Sequence, residues 1–182
     1  MTELHLKLRK PTAKWLGPAE NLYNDAFPPA ERRPFSHFLL EPDSERRGPY
    51  LHIILLSKGM TSKFAGILTS WQFDDFIYIE HLAIMPGLRG GGIGSSIIEG
   101  LRSRFDCPIV LEAEHPADDN PMAARRLAFY HRLGFDIIDN DYIQPPYSPG
   151  LPEVPLLLLA DADGLDAVAV RDTLHSQVYG AM

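Results

Sequence analysis

Cysteine is nearly absent from this sequence, and that settles a good deal. Its 182 residues contain one, Cys107, so no internal disulfide and no multi-cysteine metal site is expected. Positive charge is also scarce. Lysine and arginine number 17 against 24 acidic residues, for a net charge of −7. Nucleic-acid and anionic-membrane binders are normally basic, so neither partner is expected. Long apolar runs are missing. Stretches such as Leu156 to Ala160 fall far short of the roughly 18 residues a membrane span needs. The start, Met1 to Leu6, lacks a charged segment followed by an apolar one, so no secretory signal is expected. The seven histidines show neither H-E-x-x-H nor a paired spacing beside a third ligand, so no catalytic metal is expected. Asp161-Ala162-Asp163-Gly164 lacks the spaced ligands and closing Glu of a calcium loop and reads as a helix N-cap.

What is present is ordinary for a globular protein: 45% apolar and 23% charged residues, which excludes long disorder. At about 150 residues per domain the length gives one domain over 1–182. A domain of that size buries about 70% of its unfolded surface. A cytoplasmic protein is expected.

Period-two alternation of Leu4, Leu6 and Leu8 predicts a strand. Helices are expected over 12–26 and, after Pro28-Pro29, over 31–40. Residues 50–57 and 63–72 predict a hairpin, and 76–84 another strand. A helix follows, with Ile93, Ile97, Leu101 and Phe105 on one stripe. Residues 108–114 read as a strand and 121–133 as a helix, capped by Asn120, opened by Pro121 and closed by Gly134. Strands near 135–139 and 154–160 flank a Pro-rich loop. A last helix over about 164–178 places Ala167, Val170, Leu174 and Val178 on one face. The order predicts an α/β (α+β) fold with a mixed sheet.

Arg89-Gly90-Gly91-Gly92-Ile93-Gly94-Ser95 lies between a strand and that amphipathic helix. Glycines let backbone approach a ligand, and N–H groups at a helix start face anions. Phosphate or pyrophosphate is the natural ligand. A Walker A loop fails because Ile93 stands where lysine is needed. A dinucleotide fingerprint is weakened because Ser95 replaces its third glycine, although Glu112 sits where a ribose-binding acid would. The pattern [RQ]-x-x-G-x-[GA] is matched in full by Arg89, Gly92 and Gly94.

That last pattern is the acetyl-CoA pyrophosphate loop of the GNAT superfamily of N-acetyltransferases, which this chain resembles. Glu80 to Pro86 is similar to the family's fourth strand with its "L-A-[VI]-x-P" ending. Phe129-Tyr130-His131-Arg132-Leu133-Gly134-Phe135 is similar to the family's "[LF]-Y-x-[RK]-x-G-F" segment. The resemblance is specific over about 76–135 and looser elsewhere.

It implies a mostly antiparallel central sheet, splayed between its fourth and fifth strands, with helices on both faces. It also implies acetyl transfer to a primary amine of a small molecule or peptide by direct attack, without a covalent enzyme intermediate. Backbone of Leu82, Ala83 and Ile84 would pair with the pantetheine arm. Arg89 to Ser95 would hold the pyrophosphate, with Phe129 and Arg132 near the cofactor. Tyr130 matches the family tyrosine that protonates the leaving thiolate. Family members often place a base on the strand of Glu80, at no fixed position, or on that of Glu112, and both residues stay open here. Ala123 stands where many relatives carry a cofactor-binding Asn. Tyr142, Gln144 and Tyr147, in a Pro-stiffened loop, are expected to line the acceptor pocket. Relatives are often homodimers. Two other readings remain: a non-catalytic acyl-CoA sensor, and a dinucleotide-binding oxidoreductase.

Overall fold

The computed structural model describes residues 4–40 and 47–180. It divides into two compact units, one drawn mainly from the first 106 residues and one mainly from residues 107 onward.

In the first unit, β1 (Leu4–Arg9), β2 (Tyr50–Lys58), β3 (Thr61–Gln72) and β4 (Ile77–Ile84) lie in that order. β1 and β2 are antiparallel, with Leu6 opposite Leu56. β2 and β3 form the expected hairpin, with Ile53 opposite Ile67 and a register shift at Ile54/Leu55. Helix α1 (Ala13–Ala26) buries Ala19, Leu22 and Tyr23. These join Phe35, Phe38, Leu51, Ile53, Ile67 and Ala83 in one cluster. Each such large apolar side chain stabilises the fold by about 1.5–3 kcal/mol. α1 runs through Pro18, which removes a helical N–H; the burial of its apolar face offsets that cost. Helix α2 (Ile93–Arg104) buries Ile97, Ile98 and Leu101.

The helix expected over 31–40 is two short 3-10 turns, Pro29–Glu31 and Phe35–Leu39. Pro34 takes non-helical backbone, with φ −53° and ψ 128°, and the helical run is broken there. At three residues per turn, Phe35 and Phe38 fall on one side, and both are buried.

The second unit holds β5 (Ile109–Glu114), α3 (Pro121–Arg132), β6 (Asp136–Asp139), β7 (Ile143–Gln144), β8 (Val154–Ala160) and α4 (Ala167–Thr173). Ile77 and Tyr78, at the start of β4, also belong to it. Within this unit, Ile77 N–H donates to the Pro108 carbonyl at 2.9 Å. β8 pairs antiparallel with β5, β6 and β7. It is an inner strand, so Leu156 to Ala160 are all buried. That is why it reads as an unbroken apolar run rather than an alternation. α3 starts as expected, with the Asn120 side chain accepting from Ala123 N–H.

Two expectations are corrected here. Asp161 is not a helix cap. Its carboxylate accepts from Ile109 N–H at 2.6 Å, and Asp166 caps α4 instead. The last helix is α-helical only to Thr173 and widens into a π-turn over Leu174–Val178. Val170, Leu174 and Val178 are spaced by four, which drifts by about 40° per step in an α-helix. A wider turn offsets the drift and leaves all three buried.

Candidate active site

β4 alternates as its sequence demands. Ile79, His81 and Ala83 are buried; Glu80, Leu82 and Ile84 are half-buried. The Ala83 carbonyl lies so close to β3 that a Cβ placed on Gly66 would stand 2.2 Å from it. The buried His81 ring accepts or donates at Thr69 Oγ1 (3.0 Å) and sits against the rings of Tyr23 and Phe27. The Glu80 carboxylate accepts from the Trp71 indole N–H at 3.1 Å.

After β4 a 3-10 turn, Pro86–Leu88, leads to Arg89. Gly90 and Gly92 take φ of 80° and 77°, a left-handed conformation costing other L-residues about 1–2 kcal/mol. Gly92 is the N-cap of α2 and has no side chain to satisfy the first turn. The first intrahelical bond runs from Ser96 N–H to the Gly92 carbonyl, so Ile93, Gly94 and Ser95 supply orphan donors. A Cβ at Gly90 or Gly92 would meet nothing within 4 Å, so the space over the loop is open. Arg89 is exposed, and its Nε–H is tied to the Ile84 carbonyl at 3.0 Å. An exposed guanidinium beside a helix N-terminus is chemistry that suits an anion. Arg89 also borders two recesses. One of about 410 Å³ is lined by Leu6, Leu56, Gly91 and Ser96. The other, about 610 Å³, is lined by Asn21, Asp25, Phe64 and Met85.

In the second unit the Glu112 carboxylate is bound on both oxygens. Tyr142 OH donates to Oε1 at 2.5 Å, and Tyr179 OH lies 3.0 and 2.8 Å from Oε1 and Oε2. Burial pushes both phenols well up from the tyrosine range, and the Glu112 charge pushes them further. They therefore stay protonated and donate. A hydroxyl has one proton to give, so Tyr78 is the donor in its 3.1 Å contact with Tyr179.

These phenols make stability alkali-sensitive. Above the ordinary tyrosine value of about 10, the unfolded chain sheds protons that the folded chain keeps. Folding stability is full below that value and falls by about 1.4 kcal/mol per pH unit per phenol above it. Urea midpoints at about pH 9 and about pH 11 are expected to differ by more in the native protein than in Tyr142→Phe or Tyr179→Phe. Equal pH sensitivity in all three would show that this cluster does not govern it.

Glu114, on the same face of β5, pairs with Arg126 at 2.6 Å and accepts from the Asn120 side chain. Both partners are partly open to solvent, so the pair is worth at most about 1 kcal/mol. Burial first, and Glu114 second, raises the Glu31 carboxyl. Tyr130 is buried in α3 between Phe129 and Phe135. Burial raises its phenol too, and its hydroxyl has no hydrogen bond among the described residues. Phe129 is half-buried and Arg132 exposed.

Of the three residues expected at an acceptor pocket, Tyr142 and Gln144 turn their polar ends inward. Tyr142 serves Glu112, and Gln144 donates to the Ala30 carbonyl at 3.2 Å; both are buried. Tyr147 is half-buried, stacked near Tyr179 with the Arg33 guanidinium 5.0 Å from its ring. The sequence reading missed Trp71, Tyr78 and Tyr179. Tyr78 carried a signal, alternating with Glu80 along β4. Tyr179 follows the last apolar position of the final helix and belongs to no motif. Among the described residues no cluster of three metal-ligating side chains occurs, and no helix is long and apolar enough to cross a membrane.

This loop, strand and helix order is that of a large enzyme family. A family model described as "Acetyltransferase (GNAT) family" matches residues 17–135, and the chain belongs to that family. An inferred GNAT-family acetyltransferase from Bacteroides thetaiotaomicron superposes with a TM-score of 0.76 at 34% identity, over 97% of this chain and 99% of that one. Naa50 of Arabidopsis thaliana, solved with the bisubstrate analogue CoA-Ac-MVNAL, superposes with a TM-score of 0.52 at 17% identity, over 86% of this chain and 98% of that one. The inferred acetyltransferase YjbC of Bacillus subtilis is 36% identical over 69 residues. That match spans 38% of this chain and only about a third (35%) of YjbC.

Proposed function

We propose that this chain transfers the acetyl group of acetyl-CoA to an amine of a small molecule or peptide, acting as one acetyltransferase domain over 1–182. The observation that carries the reading is the loop from Arg89 to Ser95. Two left-handed glycines, an uncapped helix start and an exposed arginine together suit a pyrophosphate. The family match, which draws on residues from both compact units, supports treating them as one functional domain. The residues present therefore fit CoA. The backbone of Leu82 to Ile84 is the proposed contact for the pantetheine arm, and the family resemblance makes Phe129 and Arg132 candidate cofactor contacts.

An ordinary alkyl ammonium must lose a proton before its nitrogen can attack a thioester. Glu80 is the proposed base. Glu112 is less suited, because two phenols already donate to its oxygens. When the C–N bond forms and the C–S bond breaks, the thiolate needs a proton. The Tyr130 phenol, kept protonated by burial, is the proposed donor. Tyr147 is the proposed acceptor-side residue, and Tyr142 and Gln144 act through the groups they hold. The bisubstrate analogue bound by Naa50 keeps a peptide amine among the acceptor classes.

The test is thermal unfolding with acetyl-CoA, CoA and NAD, followed by an amine screen. A ligand at about a hundred times its Kd stabilises by about 2.7 kcal/mol. Stabilisation by acetyl-CoA and not NAD is expected. Tyr130→Phe should keep that stabilisation and lose about 10- to 100-fold in kcat. Stabilisation by NAD alone would return the dinucleotide reading. Acetyl-CoA binding with no transfer to any amine would leave a sensor.

A further inference from the structure

We propose that Trp71 is the positioning residue for Glu80, holding its carboxylate in one orientation and in the ionised form. The inference rests on the reading of Glu80 as the base. Both residues lie in the first unit, on the neighbouring strands β3 and β4. An indole N–H can only donate, so it favours the partner state richer in negative charge. The 3.1 Å contact to Oε2 is a charge-assisted hydrogen bond when Glu80 is ionised, and a weaker neutral one when it is protonated.

The indole is not free to turn away. Trp71 is 7% exposed, and its ring lies so close to Gly48 that a Cβ there would fall 2.6 Å from Trp71 Cδ2. The donor is therefore fixed by packing, and the acceptor belongs to a half-buried side chain. A donor fixed in this way limits the orientations of the carboxylate it holds. That is the requirement for a base that must meet a proton within hydrogen-bond reach. A buried indole N–H takes an acceptor, and here that acceptor is the carboxylate proposed as the base.

The sequence has two tryptophans, Trp15 and Trp71, so a nitrogen–proton correlation spectrum shows two indole signals, assigned with Trp15→Phe. On titration downward from neutral pH the Trp71 signal is expected to move, and in Glu80→Gln to stay still. In Trp71→Phe, which keeps a buried ring, the Glu80 carboxyl carbon is expected to titrate at higher pH than in the native protein. The acid limb of kcat should move the same way, with kcat about tenfold lower and the KM for acetyl-CoA unchanged. An indole signal that titrates equally in Glu80→Gln overturns the proposal, and so does a carboxyl midpoint unmoved in Trp71→Phe. The spectra do not depend on turnover. A fully active Glu80→Gln protein would therefore remove the base reading, and the catalytic sense of this proposal with it, even where the indole tracks Glu80.

Discussion

Glu80→Gln is expected to lower kcat for acetyl transfer by about 10²- to 10³-fold, the usual worth of a general base. Acetyl-CoA binding should be untouched, because the proposed cofactor contacts are backbone groups of Leu82 to Ile84 and the Arg89 loop. Stability should change little: Glu80 is half-buried, and glutamine keeps an acceptor for the Trp71 N–H. Glu112→Gln should behave in the opposite way. It weakens charge-assisted hydrogen bonds from Tyr142 and Tyr179, and a buried hydrogen bond to a charged group is worth about 1.5–3 kcal/mol. The unfolding midpoint should fall, with a smaller loss of kcat. Steady-state kinetics and denaturant unfolding on the two variants separate the roles. A large kcat loss at unchanged stability in Glu112→Gln, beside a near-native Glu80→Gln, would transfer the base to Glu112.

Gly66→Ala is expected to be the most damaging small substitution in the chain. The added methyl would stand 2.2 Å from the Ala83 carbonyl oxygen, and backbone, unlike the end of a long side chain, cannot step aside. Forced overpacking of this kind costs about 3 kcal/mol, or roughly 10 °C in Tm for a chain this long. The displaced strand is the one proposed to contact the pantetheine arm, so acetyl-CoA affinity should fall as well. Calorimetry and a binding titration on Gly66→Ala read both effects. A native Tm would mean that β3 and β4 part easily at this point.

The two predicted effects differ in how visible they were beforehand. The strand that carries Glu80 could be read from sequence by its alternation and the family motif, while the choice of Glu80 over Glu112 as base could not. Nothing in the sequence marks Gly66, one glycine in a run of strand formers, as the point where two backbones touch. The same division holds elsewhere. Period and punctuation gave the hairpin, α2, β5 and α3, since these depend on neighbours within a few residues. The Glu112 network lay out of reach: it joins positions 78, 112, 142 and 179, and no local rule ties residues so far apart. Trp71 belongs to no motif, and no local rule says where its N–H points.

The open space over Gly90 and Gly92 separates two demands that glycine meets at once. Folding asks these positions for handedness, since their φ values are positive, and asks nothing about size, since a methyl there would touch no part of the chain. Any further need for a bare backbone at these two positions comes from outside the polypeptide, from a molecule that must lie against the peptide planes themselves.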